Sequence, residues 1–239
     1  AHYMVIYNYT KRLSNNQIQQ FIPGTLHSKG FISFSTINAN NKRFIAVVEE
    51  FTETNILTIY HIVNSMGVHN NHIKGVVIDF KEFNMEKVYN IAFSQRDQNR
   101  NYLAAVGLSE GLPKLIVWKW DSGEVKLLQM IDIEIPAQNY NFLNVNFSSL
   151  YNDNVTVSSD NFFINFTIEN KEIIQNNTFY EPEYGQIMAH CYSMDGNLIL
   201  ATIFNLIVLN PTYEILQVID TSDENGTHIT SLIYLSEGI

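Results

Sequence analysis

The sequence predicts an all-β fold: a WD40-type β-propeller with four full four-stranded blades and partial blades at both ends, an incomplete ring. Three observations predict it. The apolar runs are short, about five to eight residues between polar turns, and none sustains the i, i+3, i+4, i+7 spacing of a long amphipathic helix. The runs recur in groups of four along the chain. One run ends in Trp120-Asp121, the dipeptide that closes the third strand of a WD blade.

Taken in order, His2–Tyr9 and Gln17–Phe21 read as strands three and four of a preceding blade, a fragment over residues 1–24. The first full blade, residues 30–80, holds Phe31–Ser35, Arg43–Glu49, Ile56–Val63 and Gly75–Phe80. The second, residues 89–132, is the clearest: Tyr89–Ser94, Tyr102–Leu108, Lys114–Trp120 and Val125–Ile131. The third, residues 141–176, holds Phe142–Ser148, Asn154–Ser158, Phe162–Ile168 and Glu172–Gln175. The fourth, residues 186–220, holds Ile187–Tyr192, Leu198–Ile203, Leu206–Leu209 and Glu214–Ile219. Thr227–Leu235 reads as strand one of a following blade, a fragment over residues 227–239. First-strand aromatics Phe34, Phe93, Phe147, Tyr192 and Tyr234 are spaced by 59, 54, 45 and 42 residues, near the 40–45 of a WD blade once early loop insertions are allowed.

Each blade is covered on both faces, so its inner strands need not alternate sharply. Leu103-Ala104-Ala105-Val106-Gly107 fits, its small residues admitting a close neighbour. On the next strand Ile116, Trp118 and Trp120 point one way and Leu115, Val117 and Lys119 the other. Ser193-Met194-Asp195-Gly196 reads as a tight hairpin with positive φ at its Asp-Gly, and Gly107, Gly123 and Gly226 read as turn punctuation. A two-layer sandwich shares this alternation; the ordered recurrence of quartets favours the propeller. No Gly-His dipeptide opens a blade, so the buried His–Asp–Ser/Thr–Trp network of strong WD repeats is not expected, and blade stability is expected to come mainly from apolar packing.

Composition narrows the function classes. Apolar residues make up 46% of the 239 and charged residues only 16%, a globular mixture rather than a disordered one. The net charge of -10 repels phosphate backbones and anionic lipid, so neither nucleic acid nor membrane is an expected partner. No apolar run approaches the roughly 20 residues of a membrane span. Cys191 is the single cysteine, which suits a cytosolic compartment. Six Asn-x-Ser/Thr triplets, at Asn8, Asn146, Asn154, Asn165, Asn176 and Asn225, are expected by chance among 29 asparagines. The chain opens on a strand without a Met, which reads as an internal piece of a longer protein.

Candidate chemistry is sparse. His69-Asn70-Asn71-His72 offers two imidazoles, but zinc needs about four ligands and no second cluster accompanies them. His190 and Cys191 are adjacent on a strand and so point to opposite faces. No nucleophile-elbow, Walker or dinucleotide motif is present. Two acidic groups stand out: Glu49, Glu50 and Glu53 at a strand-two to strand-three hairpin, and Asp220, Asp223 and Glu224 before the last strand. Paired carboxylates serve some propeller glycosidases; at exposed turns they read better as a solvated surface, with a groove for a basic partner as the alternative. No catalytic, cofactor or metal residues are assigned.

Gln17-Ile18-Gln19-Gln20-Phe21-Ile22-Pro23-Gly24-Thr25, Gly30-Phe31-Ile32, Asn41–Glu49, Leu57-Thr58-Ile59-Tyr60 and Leu115–Trp120, taken in order, resemble the amino-terminal propeller of the cilia- and flagella-associated protein 57 family of axonemal WD-repeat proteins. The polar stretch Asn64–Lys74 departs from that pattern. The resemblance implies a longer protein with a second propeller and a coiled-coil tail through which it could oligomerise. It implies a scaffold in the axoneme of cilia and flagella, docking inner dynein arms and the dynein regulatory and radial-spoke-base complexes, with the doublet microtubule held through other parts of the protein. It implies no catalytic residues and no cofactor. The alternatives are a WD-repeat adaptor in another cytosolic complex, such as a dynein tether, trafficking or ubiquitin-ligase assembly, and a propeller enzyme.

Overall fold

The computed structural model describes residues 3–7, 18–39, 42–62, 72–94, 101–121, 124–135, 140–179, 184–222, 229 and 232. They form one two-stranded and four four-stranded antiparallel sheets. Strands β1 (Tyr3–Tyr7) and β2 (Ile18–Pro23) make the two-stranded sheet. Blade one is β3 (Gly30–Ala39), β4 (Lys42–Glu50), β5 (Asn55–Ile62) and β6 (His72–Asp79). Blade two is β7 (Lys87–Phe93), β8 (Asn101–Ser109), β9 (Leu112–Asp121) and β10 (Glu124–Asp132). Blade three is β11 (Asn144–Phe147), β12 (Asn154–Ser158), β13 (Phe163–Glu169) and β14 (Glu172–Phe179). Blade four is β15 (Ile187–Tyr192), β16 (Leu198–Thr202), β17 (Asn205–Leu209) and β18 (Ile215–Asp220). Each blade is a meander in chain order, the arrangement short turns permit. A 3₁₀ turn, Phe80–Phe83, follows blade one, capped by the Asp79 carboxylate and closed by Asn84 at φ 53°.

The meanders are stacked face to face. First strands pack on first strands, β3 on β7, β7 on β11 and β11 on β15. The outermost pair carries a register shift in every full blade, at Thr58/Tyr60, Leu127/Gln129, Ile164/Phe166 and Val208/Leu209, and such bulges increase strand twist. The result is an incomplete β-propeller, with first strands inside and fourth strands on the rim. Its core is a series of seams. Blade one meets two over Phe44, Leu57, Ile59, Phe93, Ile116, Trp118 and Trp120. Blade two meets three over Leu115, Val117, Val145, Val157 and Phe166. Blade three meets four over Phe163, Ile187, Leu198, Leu200 and Ile207.

The expected alternation of β9 holds: Ile116, Trp118 and Trp120 enter the seam to blade one, Leu115 and Val117 the seam to blade three. Trp118 meets Phe80 and Phe83 edge-on at 6.0 and 5.7 Å, and Trp120 meets Phe44 at 4.8 Å. The first-strand aromatics Phe93, Phe147 and Tyr192 each face the preceding blade. Phe34 pairs with Val47, whose face carries Ile22, Ile45, Tyr60 and Ile62. Phe34 is nonetheless 60% exposed. Tyr234 lies outside the described residues, as do Gly123 and Gly226, and of Thr227–Leu235 only Ile229 and Leu232 are described, outside any strand.

One glycine needs reassignment. Gly107 is not in a turn; it lies inside β8, where an added Cβ would sit 2.1 Å from the Lys87 carbonyl oxygen. Close approach of β7, not a positive φ, demands glycine there. Gly196 does behave as its Asp-Gly context predicts, with φ 83° in the hairpin between β15 and β16.

Candidate protein-interaction face

One end of the sheet stack carries the crossings between blades and the turns between second and third strands. In every full blade these two are tied together. In blade one the Thr25 N–H and hydroxyl donate to the Glu49 carboxylate at 2.8 and 2.7 Å. In blade two the Glu110 N–H donates to Glu86 Oε1 at 3.1 Å. In blade three Asn141 donates from its backbone and side chain to Asp160, at 3.3 and 2.8 Å. In blade four the Asn205 amide donates to the Tyr184 carbonyl at 3.4 Å. These bonds anchor the loop backbones from which the exposed side chains project.

At the boundary of blades one and two these loops gather glutamates. Glu50 and Glu53 project from the β4–β5 turn, Glu82 from the 3₁₀ turn, Glu86 from the crossing and Glu110 from the β8–β9 turn, all exposed. Thr54 Oγ1 donates to Asp79 at 2.5 Å, and Asn55 Nδ2 donates to the Glu86 carbonyl at 3.4 Å, so the segments are contiguous. Lys29 pairs with Glu50 at 3.5 Å and Lys81 with Glu53 at 3.6 Å. Such exposed pairs contribute little energy, and the edge stays acidic. Leu112, beside Glu110, is 54% exposed.

The acidic residues expected from sequence divide three ways. Glu50 and Glu53 belong to this edge. Glu49 does not: it is 3% exposed and spent on Thr25. Its carboxylate is a buried structural acceptor; burial, and after it the Glu49 charge, raises the Tyr60 phenol pKa. Asp220 ends β18 on the rim, where hydrogen bonds from Ser222 lower its pKa; Asp223 and Glu224 lie outside the described residues. Sequence reading missed Glu82, Glu86 and Glu110, which are distant from Glu53 in the chain. Their signal was positional: each sits in a crossing or turn that the propeller brings to the same end.

The innermost strands form a second polar system. Ile91 N–H and Phe93 N–H donate to the hydroxyls of Ser33 and Ser35, at 3.2 and 2.9 Å. Asn90 accepts from Val145 N–H at 3.1 Å and donates to Ser33 at 3.1 Å. Asn146 donates to the His190 carbonyl at 2.9 Å. Ser and Asn side chains therefore lace each first strand to the next.

Between blades three and four the lacing continues into the seam. His190 is 3% exposed, its Nδ1 2.6 Å from Ser158 Oγ. Thr156 bonds Asn165, and the Tyr192 hydroxyl lies 2.5 Å from Thr156 Oγ1. These hydrogen bonds add to the apolar packing between the blades. Cys191 points away from His190, towards the far face of blade four, and burial raises its thiol pKa to about 11. Asn165 is 3% exposed, so its Asn-x-Thr triplet is a core element. His69, Asn70 and Asn71 lie outside the described residues and His72 opens β6; no group of three or more His, Cys, Asp or Glu that could hold a metal occurs among the described residues.

Comparison with known proteins supports the fold. No family model matches the chain, and no curated protein matches it. Among solved structures it is similar to Sqt1 of Chaetomium thermophilum, at TM-score 0.56 and 12% identity, covering 84% of this chain and 51% of that one. It is similar to a putative 6-phosphogluconolactonase of Bacteroides fragilis, at TM-score 0.60 and 9% identity, over 90% and 64% of the two chains. It is also similar to the β-propeller domain of Vanderwaltozyma polyspora Nup133, at TM-score 0.50 and 13% identity, over 91% and 65%. The chain thus spans between half and two-thirds of these structures. At these identities the likeness shows the fold and no more.

Proposed function

We propose that this chain is a non-enzymatic propeller scaffold that docks a basic protein segment on the edge formed by Glu50, Glu53, Glu82, Glu86 and Glu110. The observation that supports the reading is the stapling of these loops: Glu110 N–H to Glu86, Thr54 to Asp79, and Asn55 to the Glu86 carbonyl. A fixed array of like charge costs little reorganisation when a complementary partner arrives, and it steers encounter. The sequence resemblance sets this scaffold in the ciliary axoneme, among inner dynein arm and regulatory complexes. Another cytosolic WD-type complex is the competing setting.

The test uses the full-length protein, tagged and expressed in a ciliated cell. The expected result is axonemal signal that survives detergent extraction. Combined reversal of Glu53, Glu82 and Glu110 to lysine should release it without lowering the melting temperature, since exposed charges away from packed sites shift stability by only about 0.5 kcal/mol. Uniform cytosolic signal from the native protein would reject the axonemal setting. Retention unaffected by the triple reversal would reject the acidic edge.

A further inference from the structure

We propose that the seam between blades three and four is a proton-operated joint: when the His190 imidazole takes up a proton, this inter-blade contact loosens while the seams on its other side hold.

Position carries the argument. His190 lies on the innermost strand of blade four and faces blade three, with Nδ1 on Ser158 Oγ at 2.6 Å. Its Nε2 is buried without a hydrogen-bond partner, and so is Nδ2 of Asn165 on the same seam. An imidazolium would carry two N–H donors, and only the Ser158 side is met. Burial disfavours the charged ring and outweighs a backbone hydrogen bond at Thr156 that favours it, and the side chains around it do not help. Strand β11 contributes the neutral Asn146, β12 Thr156 and Ser158, β13 Phe163 and Asn165, and β16 Leu200. The titratable groups nearby are the phenols of Tyr192 and Tyr213, both raised by burial, and the Cys191 thiol, which faces the other way. The Asp160 carboxylate, two residues past Ser158, is engaged by Asn141 and Ser159. Among the described residues no acidic side chain hydrogen-bonds the ring to balance its charge.

The seam also has the least apolar packing to hold it closed against a charge. Its apolar core is the smallest of the three seams between full blades among the described residues. The other two seams are filled by Trp, Phe and aliphatic side chains; His61 stacks on Phe44 in the seam of blades one and two but is half-exposed, whereas His190 is buried.

The direction follows from linkage. Burial lowers the His190 pKa from 6.5 to about 4, so the opened seam takes up a proton more readily than the closed one. The closed seam is fully favoured above pH 6.5 and weakens as pH falls from there towards 4. From pH 7.0 to pH 5.0 the opening equilibrium should rise about twentyfold.

Hydrogen exchange followed by mass spectrometry on the full chain, corrected for the intrinsic pH dependence of exchange, reads this directly. Between pH 7.0 and 5.0, peptides covering β12 and β15 should lose about twentyfold in protection, while those covering β8 and β9 keep theirs. His190→Gln, neutral at both pH values, should flatten the response. Equal loss of protection in all blades would overturn the proposal, as would an undiminished response in the glutamine variant. Should that variant fail to fold, imidazole NMR of the native chain decides: a His190 pKa below 5 supports the joint, and one near 6.5 overturns it.

Discussion

Replacing Gly107 with alanine tests how tightly the inner strands of a blade are held. An added Cβ would lie 2.1 Å from the Lys87 carbonyl oxygen, 2.5 Å from Met85 Cε and 3.1 Å from the Lys87 carbonyl carbon. Carbon and carbonyl oxygen rarely approach closer than about 3.3 Å, so β7 must retreat by about 1 Å. The Met85 thioether can swing aside; the Lys87 carbonyl cannot, because it belongs to the β7 backbone. Forcing a methyl into a packed core costs about 1–3 kcal/mol, and the stiffer unfolded chain returns about 0.4–1 kcal/mol. Since the clash is with backbone, the net loss should be about 2 kcal/mol. Urea unfolding followed by the fluorescence of Trp118 and Trp120, both in blade two and 2% exposed, should show the midpoint falling by about 1 M at constant slope, for a slope near 2 kcal/mol/M. Gly30→Ala is the control: nothing lies within 4 Å of its Cβ position, so its midpoint should not fall. An unchanged or raised midpoint for Gly107→Ala would refute the close-approach argument.

Three further outcomes follow from the same geometry. Glu49→Ala should destabilise the chain by about 1–3 kcal/mol, because the Thr25 N–H and hydroxyl lose their acceptor; a melting temperature equal to the native one would show the latch to be idle. Trp118→Ala should cost about 3–5 kcal/mol, measured by the same urea titration with Trp120 as reporter. Cys191, its thiol raised from 9.0 to about 11, should carry about a hundredfold less thiolate at pH 8 than an ordinary thiol. A disulfide reagent should therefore label it slowly in the native chain and quickly in urea, and fast native labelling would contradict its burial.

The blade pattern was legible because it is local. A strand of four to ten residues, a polar turn and an aromatic at a fixed place in each first strand are all written in consecutive positions, and each of the four quartets became one sheet. Trp120-Asp121 and Asp195-Gly196 marked a strand end and a hairpin correctly. What failed was long-range. Glu49 looked like surface beside Glu50 and Glu53, and only Thr25, from the preceding crossing, explains its burial. Gly107 looked like punctuation because its neighbour, Lys87, is on another strand. His190 was read only against Cys191, its chain neighbour, whereas its partner is Ser158 in another blade. Polar residues whose partners lie a blade away cannot be assigned from spacing alone.

The lacing of the first strands has a consequence for anything that approaches along the propeller axis. Ser33, Ser35, Asn90 and Asn146 already exchange hydrogen bonds with adjoining main chain. A guest seeking those hydroxyls and amides must first break the mortar between bricks, so recognition there would loosen the wall that creates it. Glu53 and Glu82 on the outward loops carry no such conflict: exposed and outside the staples, they can be exchanged by evolution without touching the masonry.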